Sequence, residues 1–300
     1  MTGVAFTGGG TKGRLERCDI ARSTLIGIQI NLGADVSIIS SKIHGGLSAG
    51  VLFIDAGTKG RMEGCTVFGN TSVGVQIREA AVAVLTGSKI FDGESVGVAI
   101  AGIETRARVE DCEIWGNKLS GLEISAGANP LILDNKIYNG LNTGVNIFGD
   151  GTRGRILSND LWGNASAGIN IISGANPVVE YNQIHAGKAW GVNFSGAGSL
   201  GKLSKNRIFG NAEYGISITL GADPRIIANQ ISNNYVAVAN VGIWGAGTRG
   251  FLASNAITGS LRGVYVANKA EPIIEMNLIY SNTQVRASLC SNLLGVCRFT

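Results

Sequence analysis

The chain has 300 residues, of which 45% are hydrophobic and only 15% charged, with a formal net charge of +4. That is ample material for a large core, and too mild a basic excess to suggest nucleic acid as a partner. No apolar run approaches the ~20 residues of a membrane span, and the opening MTGVAFTGGG lacks the basic and apolar stretches of an export signal, so a soluble chain without a membrane partner is expected. With 45 glycines, four prolines and no three-residue period, collagen and low-complexity disorder are excluded, and the glycines are left to serve turns.

From its start the chain repeats. A glycine followed by a β-branched residue or Leu occurs at Gly3, Gly27, Gly50, Gly74, Gly97, Gly121, Gly144, Gly168, Gly191, Gly215 and Gly263, and Asn240 takes the slot once. Successive intervals alternate between 24 and 23 residues as far as Gly215, then run 25 and 23 through Asn240, where extra residues enter near Tyr235. The true unit is therefore a pair of coils, about 47 residues. Odd coils read like GVNIFGDGTRGRILSNDLWGNASA and even coils like GINIISGANPVVEYNQIHAGKAW; all four prolines, Pro130, Pro177, Pro224 and Pro272, fall in one slot of the even coils, at a bend where no N–H is needed.

Each coil predicts three short strands in order, because apolar residues alternate with polar ones at a period of two. The first strand contributes two inward columns, Val4, Ile28, Val51, Val75, Val98 onward to Val264, and Phe6, Ile30, Phe53, Ile77 onward to Val266. The second strand contributes Leu15, Ile38, Met62, Leu85, Val109, Ile132 to Ile274, and the third Ile20, Ile43, Val67, Ile90, Ile114, Ile137 to Ile279. No coil can bury such a face alone, but twelve stacked at ~4.8 Å form a rod of roughly 55 to 60 Å with one continuous core. The fold class is thus all-β, a right-handed parallel β-helix of about twelve coils, occupying residues 1–285 as a single domain with 286–300 as a tail or cap. Gly3 already belongs to a coil, so the open end is expected to be covered by further chain or a partner, and end-to-end self-association is its corollary.

Several slots carry polar, charged or aromatic columns. At the bend before the third strand stand Cys18, Ser41, Cys65, Ser88, Cys112, Asn135, Asn159, Asn182, Asn206, Asn229, Asn255 and Asn277, a buried ladder able to satisfy the backbone of an inward turn. Its cysteines lie two coils apart, about 9 to 10 Å, beyond the reach of a disulfide, and are expected as free thiols with no metal. Cys290 and Cys297 past the last coil are either a disulfide or two thiols. A solvent-facing column, Asp19, Lys42, Thr66, Lys89, Glu113, Lys136, Asp160, Gln183 and Arg207, alternates in charge.

Three groups are candidate sites. After the third strand's inward residue come His44, Phe68, Phe91, Trp115, Tyr138, Trp162, His185 and Phe209, an outward aromatic stripe that either stacks on itself or binds sugar rings or a partner's side chains. Arg14, Arg61, Arg108, Arg155 and Lys202 form a basic stripe suited to an acidic polysaccharide or protein segment, although Glu16, Glu63 and Glu110 follow two residues later. Glu110, Asp111 and Asp134 are the carboxylates placed closest, Asp111 and Asp134 sharing a slot on adjacent coils where they could bind Ca²⁺ or share a proton in glycoside chemistry. His44 and His185 are six coils apart, close to 30 Å, so paired-histidine metal chemistry is excluded and no metal site is assigned.

The running pattern GANP, N-x-I, GV, G-x-G and N-x-I-x-G-N, as in GANPLILDNKIYNGLNTGVNI and GKLSKNRIFGNAEYGISITLGADPRIIANQIS, resembles the carbohydrate-binding and sugar-hydrolase type β-helix repeats. It is most similar to the β-helix of the F-box substrate receptors. That resemblance implies the fold and either a sugar or a protein as partner. It transfers no catalytic residue, since the aspartate, arginine and lysine sets of pectate lyases and polygalacturonases are not matched, nor any cofactor. The expected function is a non-catalytic recognition or scaffold module binding a protein or glycan on a rigid lateral face. The alternatives are a polysaccharide lyase, hydrolase or epimerase whose export signal is not in this sequence, and a purely structural rod.

Overall fold

The computed structural model describes residues 1–234 and 239–283, which form 36 strands and no helix. Cys290, Cys297, the tail 286–300 and most of the extra residues near Tyr235 lie outside the described residues. Every third strand pairs with the next of its kind, giving three parallel sheets of twelve strands each, wound right-handed. The register follows the repeat: Val4 faces Ile28, Leu15 faces Ile38, and Ile20 faces Ile43, so each predicted column is a ladder of the same slot in successive coils. In the first five coils the second strand has five residues, as in Arg106–Glu110. From the sixth it has three, as in Leu131–Leu133, immediately after Pro130. In the even coils a proline, which can accept but not donate, stands where that strand would otherwise extend.

The inward columns make one core, with Ile28, Ile77, Leu85, Ile114, Ile156 and Ile231 all fully buried. Within it, size is traded between facing sheets. A Cβ on Gly60 would lie 1.9 Å from the Phe53 ring, and one on Gly13 would lie 2.3 Å from Phe6; a phenyl in one sheet requires a bare backbone in the other.

The asparagine ladder closes the bend between the second and third sheets. Asn182 Nδ2 donates to the carbonyls of Ile156 (2.8 Å) and Glu180 (2.9 Å) and to Asn206 Oδ1 (3.0 Å), while Asn182 Oδ1 accepts from the Asn159 backbone N–H (2.8 Å). In the N-terminal coils a hydroxyl fills the same role, Ser88 Oγ accepting from the Cys65 N–H at 3.1 Å. Cys18, Cys65 and Cys112 are free thiols. A second ladder, not foreseen from the sequence, lies at the turn returning to the first sheet: the N–H groups of Gly46, Gly93, Gly140 and Gly187 donate to the side-chain oxygens of Asn70, Asn117, Asn164 and Asn211.

The double-coil period has a physical origin at the turn after the first strand. Even coils turn there through two successive left-handed residues, for example Leu32 and Gly33, or Ser173 and Gly174. The second N–H of that pair donates to a hydroxyl of the next, odd coil: Gly33 to Thr58 (3.0 Å), Gly127 to Thr152 (2.9 Å), Gly174 to Ser199 (3.2 Å) and Gly221 to Thr248 (3.0 Å). Odd and even coils are therefore complementary halves of one hydrogen-bonding unit.

Candidate functional site

The rod presents three lateral faces, one per sheet. Strands such as Lys42–His44 and Glu113–Trp115 run out-in-out, which puts the charge column and the aromatic column side by side on the outer face of the third sheet. All eight predicted rings come together there. Centroids are 4.6 Å apart from His44 to Phe68, 4.3 Å from Phe91 to Trp115, 4.3 Å from Tyr138 to Trp162 and 4.8 Å from His185 to Phe209, and the planes differ by 9°, 5°, 2° and 3°. The coil rise stacks them face to face, so the six rings between His44 and Phe209 spend both faces on their neighbours and their edges look outward. Both histidines are tied to the coil below, His44 Nε2 to Asp19 Oδ1 and His185 Nε2 to Asp160 Oδ1, each at 2.9 Å. Burial, and then the Glu113 carboxylate, push the Tyr138 phenol above its ordinary pKa.

On the outer face of the second sheet, register puts Arg14, Arg61, Arg108, Arg155 and Lys202 in one column, alternating with Ser37, Val84, Leu131 and Val178. Most of that charge is held locally. Arg14 bonds Glu16 and Arg61 bonds Glu63 at 2.8 Å, Arg108 grips Glu110 through two bonds of 2.6 and 2.7 Å, and Lys202 reaches Glu180 at 2.7 Å. Arg155 has Leu157 two residues on instead of a glutamate, and forms no ion pair among the described residues. The Arg108 hydrogen bond holds Glu110 below the usual carboxylate range. Asp111 and Asp134 are exposed turn residues with φ of 51° and 54°, in a bend slot that is left-handed in all twelve coils, and Arg108 lies within their field. Among the described residues no three His, Cys, Asp or Glu side chains converge as metal ligands.

The outer side of the first sheet was not singled out from the sequence, yet it carries a hydrogen-bonded polar row whose first three members are partly exposed and whose last two, Asn193 and Ser217, are buried. Glu123, Asn146, Asn170, Asn193 and Ser217 stand in one register column over five coils. Ser217 Oγ donates to Asn193 Oδ1 (2.8 Å), Asn193 Nδ2 to Asn170 Oδ1 (2.9 Å) and Asn170 Nδ2 to Asn146 Oδ1 (2.9 Å). Burial raises the pKa of Glu123, against a hydrogen bond from Asn146. Two coils on from Asn193 in the same column is Gly242. A Cβ there would meet the Trp244 ring at 2.4 Å and the Tyr214 ring at 2.6 Å, so both rings lie over this stretch of the face. Their centroids are 5.1 Å apart and their planes tilted by 41°, unlike the parallel column of the third sheet. Trp190 holds the slot of Tyr214 one coil earlier, and Tyr265 follows Gly242 in the column. The signal of this face in the sequence is V-N-I, I-N-I and V-N-F in three consecutive coils, an outward asparagine between two inward apolar residues.

The sequence model described as "right handed beta helix region" matches residues 1–82 and 73–236. The chain belongs to the right-handed β-helix family. Among solved structures, this β-helix is similar to a periplasmic alginate epimerase (14% identity, 93% of this chain and 79% of that one, TM-score 0.57). It is also similar to the A-module of an Azotobacter vinelandii mannuronan C-5 epimerase (16%, 93% and 90%, 0.58) and to a pectate lyase (14%, 86% and 73%, 0.59). At such identities these likenesses speak for the fold, and they lend no support to the F-box receptors in particular. No curated protein sequence matches the chain.

Proposed function

We propose that this β-helix is a carbohydrate-recognition rod that holds a glycan chain lengthwise on the outer face of its first sheet. The observation that carries the reading is the partly exposed pair Asn146 and Asn170: each carboxamide spends one N–H and one oxygen lone pair on the row, which leaves a second of each for a ligand on two adjacent coils, while the buried Asn193 anchors the row behind them. Tyr214 and Trp244 lie over the C-terminal end of the column at a tilt, outside the parallel stack of the third sheet, with Trp190 and Tyr265 on neighbouring coils, and all four have the apolar-bodied, polar-tipped chemistry that suits a sugar ring. The structural neighbours named for alginate, mannuronan and pectate support a carbohydrate partner.

Binding is favoured over hydrolysis because glycoside hydrolysis works through a pair of carboxyl groups flanking one bond, and the strands of this face from Val98 to Ala267 offer only Glu123. The test is a glycan-binding measurement on the intact chain beside Asn170→Leu and the Trp115→Ala, Trp162→Ala double variant. Loss of roughly tenfold or more in affinity with Asn170→Leu, and none with the double variant, is the expected result, in line with about 1.4 kcal/mol of hydrogen bonding. The opposite pattern would move the site to the aromatic edges of the third sheet. Product release that fails in Asp111→Asn or Asp134→Asn would make the rod an enzyme.

A further inference from the structure

Every strand of the first sheet from Val98–Ala101 to Val264–Ala267 is without lysine or arginine: the eight segments read VAIA, LEIS, VNIF, INII, VNFS, ISIT, VGIW and VYVA. This is unusual for a chain with 25 basic residues, and it is confined to this sheet, since the second sheet carries its basic column over the same coils. The cations at the two margins are engaged. Arg78, on the coil before Val98, pairs with Glu79, and Arg262 lies over the Tyr265 ring with its guanidinium carbon 5.6 Å from the centroid. At the edge, off the strands, Lys118 pairs with Glu94, whereas Lys188 in the same slot, two residues before Trp190, is exposed and forms no ion pair among the described residues. The row's one charged group is a carboxylate, Glu123, at the end of an unbroken chain of amides and hydroxyls.

A polyuronate carries one carboxylate per sugar, and a chain laid along this row would bring that charge against Glu123 with no cation on the strands to offset it. Unpaired like charges at a partly desolvated face are costly, and they act as a selective element against the wrong ligand. Sugar hydroxyls are matched instead. Each can donate to a carboxamide oxygen or to Glu123, and each can accept from the spare N–H of the partly exposed Asn146 or Asn170. Building on the carbohydrate reading above, we infer that the ligand of this face is a neutral, hydroxyl-rich linear glycan and that polyuronates are excluded from it, unlike the polymers for which the structural neighbours are named.

The experiment is calorimetric titration of the intact chain with two sets of hexamers: neutral glucose, mannose and galactose oligomers, and mannuronate and galacturonate oligomers. At least one neutral oligomer should bind about tenfold or more tightly than either acidic one. In Glu123→Gln the acidic oligomers should gain affinity relative to the neutral one. In Asn170→Lys, where a cation replaces an outward half-buried amide, the preference should swing towards the acidic oligomers, and the swing should fade as salt is raised. Tighter binding of uronate than of neutral oligomers by the unsubstituted chain overturns this inference and leaves the carbohydrate reading standing. Silence towards both sets overturns the two together.

Discussion

A single buried carboxamide shows how the coils are kept in register. Asn182 satisfies two carbonyls of its own and the preceding bend with its Nδ2, and its Oδ1 serves the N–H of Asn159. Asn182→Leu removes all of these at once and leaves buried groups unpaired, so it should lower stability by about 3 kcal/mol or more. Asn182→Ser keeps one acceptor, as Ser41 and Ser88 do in the N-terminal coils, and should cost less than half as much; thermal midpoints of the two variants check the ranking. This ladder was legible in the sequence because one slot holds one polar type over seven coils. The second ladder was not, because Asn70, Asn117, Asn164 and Asn211 alternate with glycines that donate to them, and a pattern split between two residue types reads as ordinary turn composition. Gly60 and Gly13 were illegible for another reason: their meaning lies in the phenyl rings of the facing sheet.

At the scale of a strand column, the aromatic stripe could be listed residue by residue from the repeat, but its geometry depends on spacing that only the stacked coils supply. With adjacent rings 4.3 to 6.1 Å apart and within 14° of parallel, the column is a continuous π-stack along the third sheet. Trp115→Ala opens it between Phe91 and Tyr138. It should cost about 1 kcal/mol or more from the two lost stacking contacts, before any lost burial, and it should weaken the near-ultraviolet circular dichroism by more than one tryptophan's share, because the neighbours are decoupled as well. An unchanged spectrum beyond that share would show that the rings do not stack in solution. The basic stripe teaches the complementary point. Its five members were foreseen, and so were the glutamates beside Arg14, Arg61 and Arg108, but the pairing of Lys202 with Glu180 runs between coils and needed the register. The polar row of the first sheet was not legible because a single asparagine between two apolar residues reads as ordinary strand alternation, and only the register joins three of them into a hydrogen-bonded row.

For the molecule as a whole, the buried thiols set how the rod answers alkali. Cys112 sits in the ladder slot, where burial pushes its pKa up to about 11 from an ordinary value of 9.0, and Cys65 is raised for the same first cause. A group whose folded pKa is raised contributes stability that is whole below the unfolded pKa and is lost as pH climbs through the folded one. Between pH 9 and 11 the unfolded chain sheds the thiol proton while the folded rod keeps it, so unfolding gains a free energy on the order of 2 kcal/mol from Cys112 alone by the upper end of that window. Tyr138 and Tyr214, both raised by burial, add to the loss above the ordinary tyrosine range. Cys112→Ser places in the slot the hydroxyl already used at Ser88 on the coil before, and a hydroxyl does not titrate there. The variant's thermal midpoint should therefore fall less steeply from pH 9 to 11 than that of the unsubstituted chain, with the two profiles parallel from pH 6 to 8. Profiles that stay parallel through pH 11 would mean that the Cys112 thiol ionises as readily in the folded ladder as in the open chain, and that the slot is wetter than its full hydrogen bonding implies.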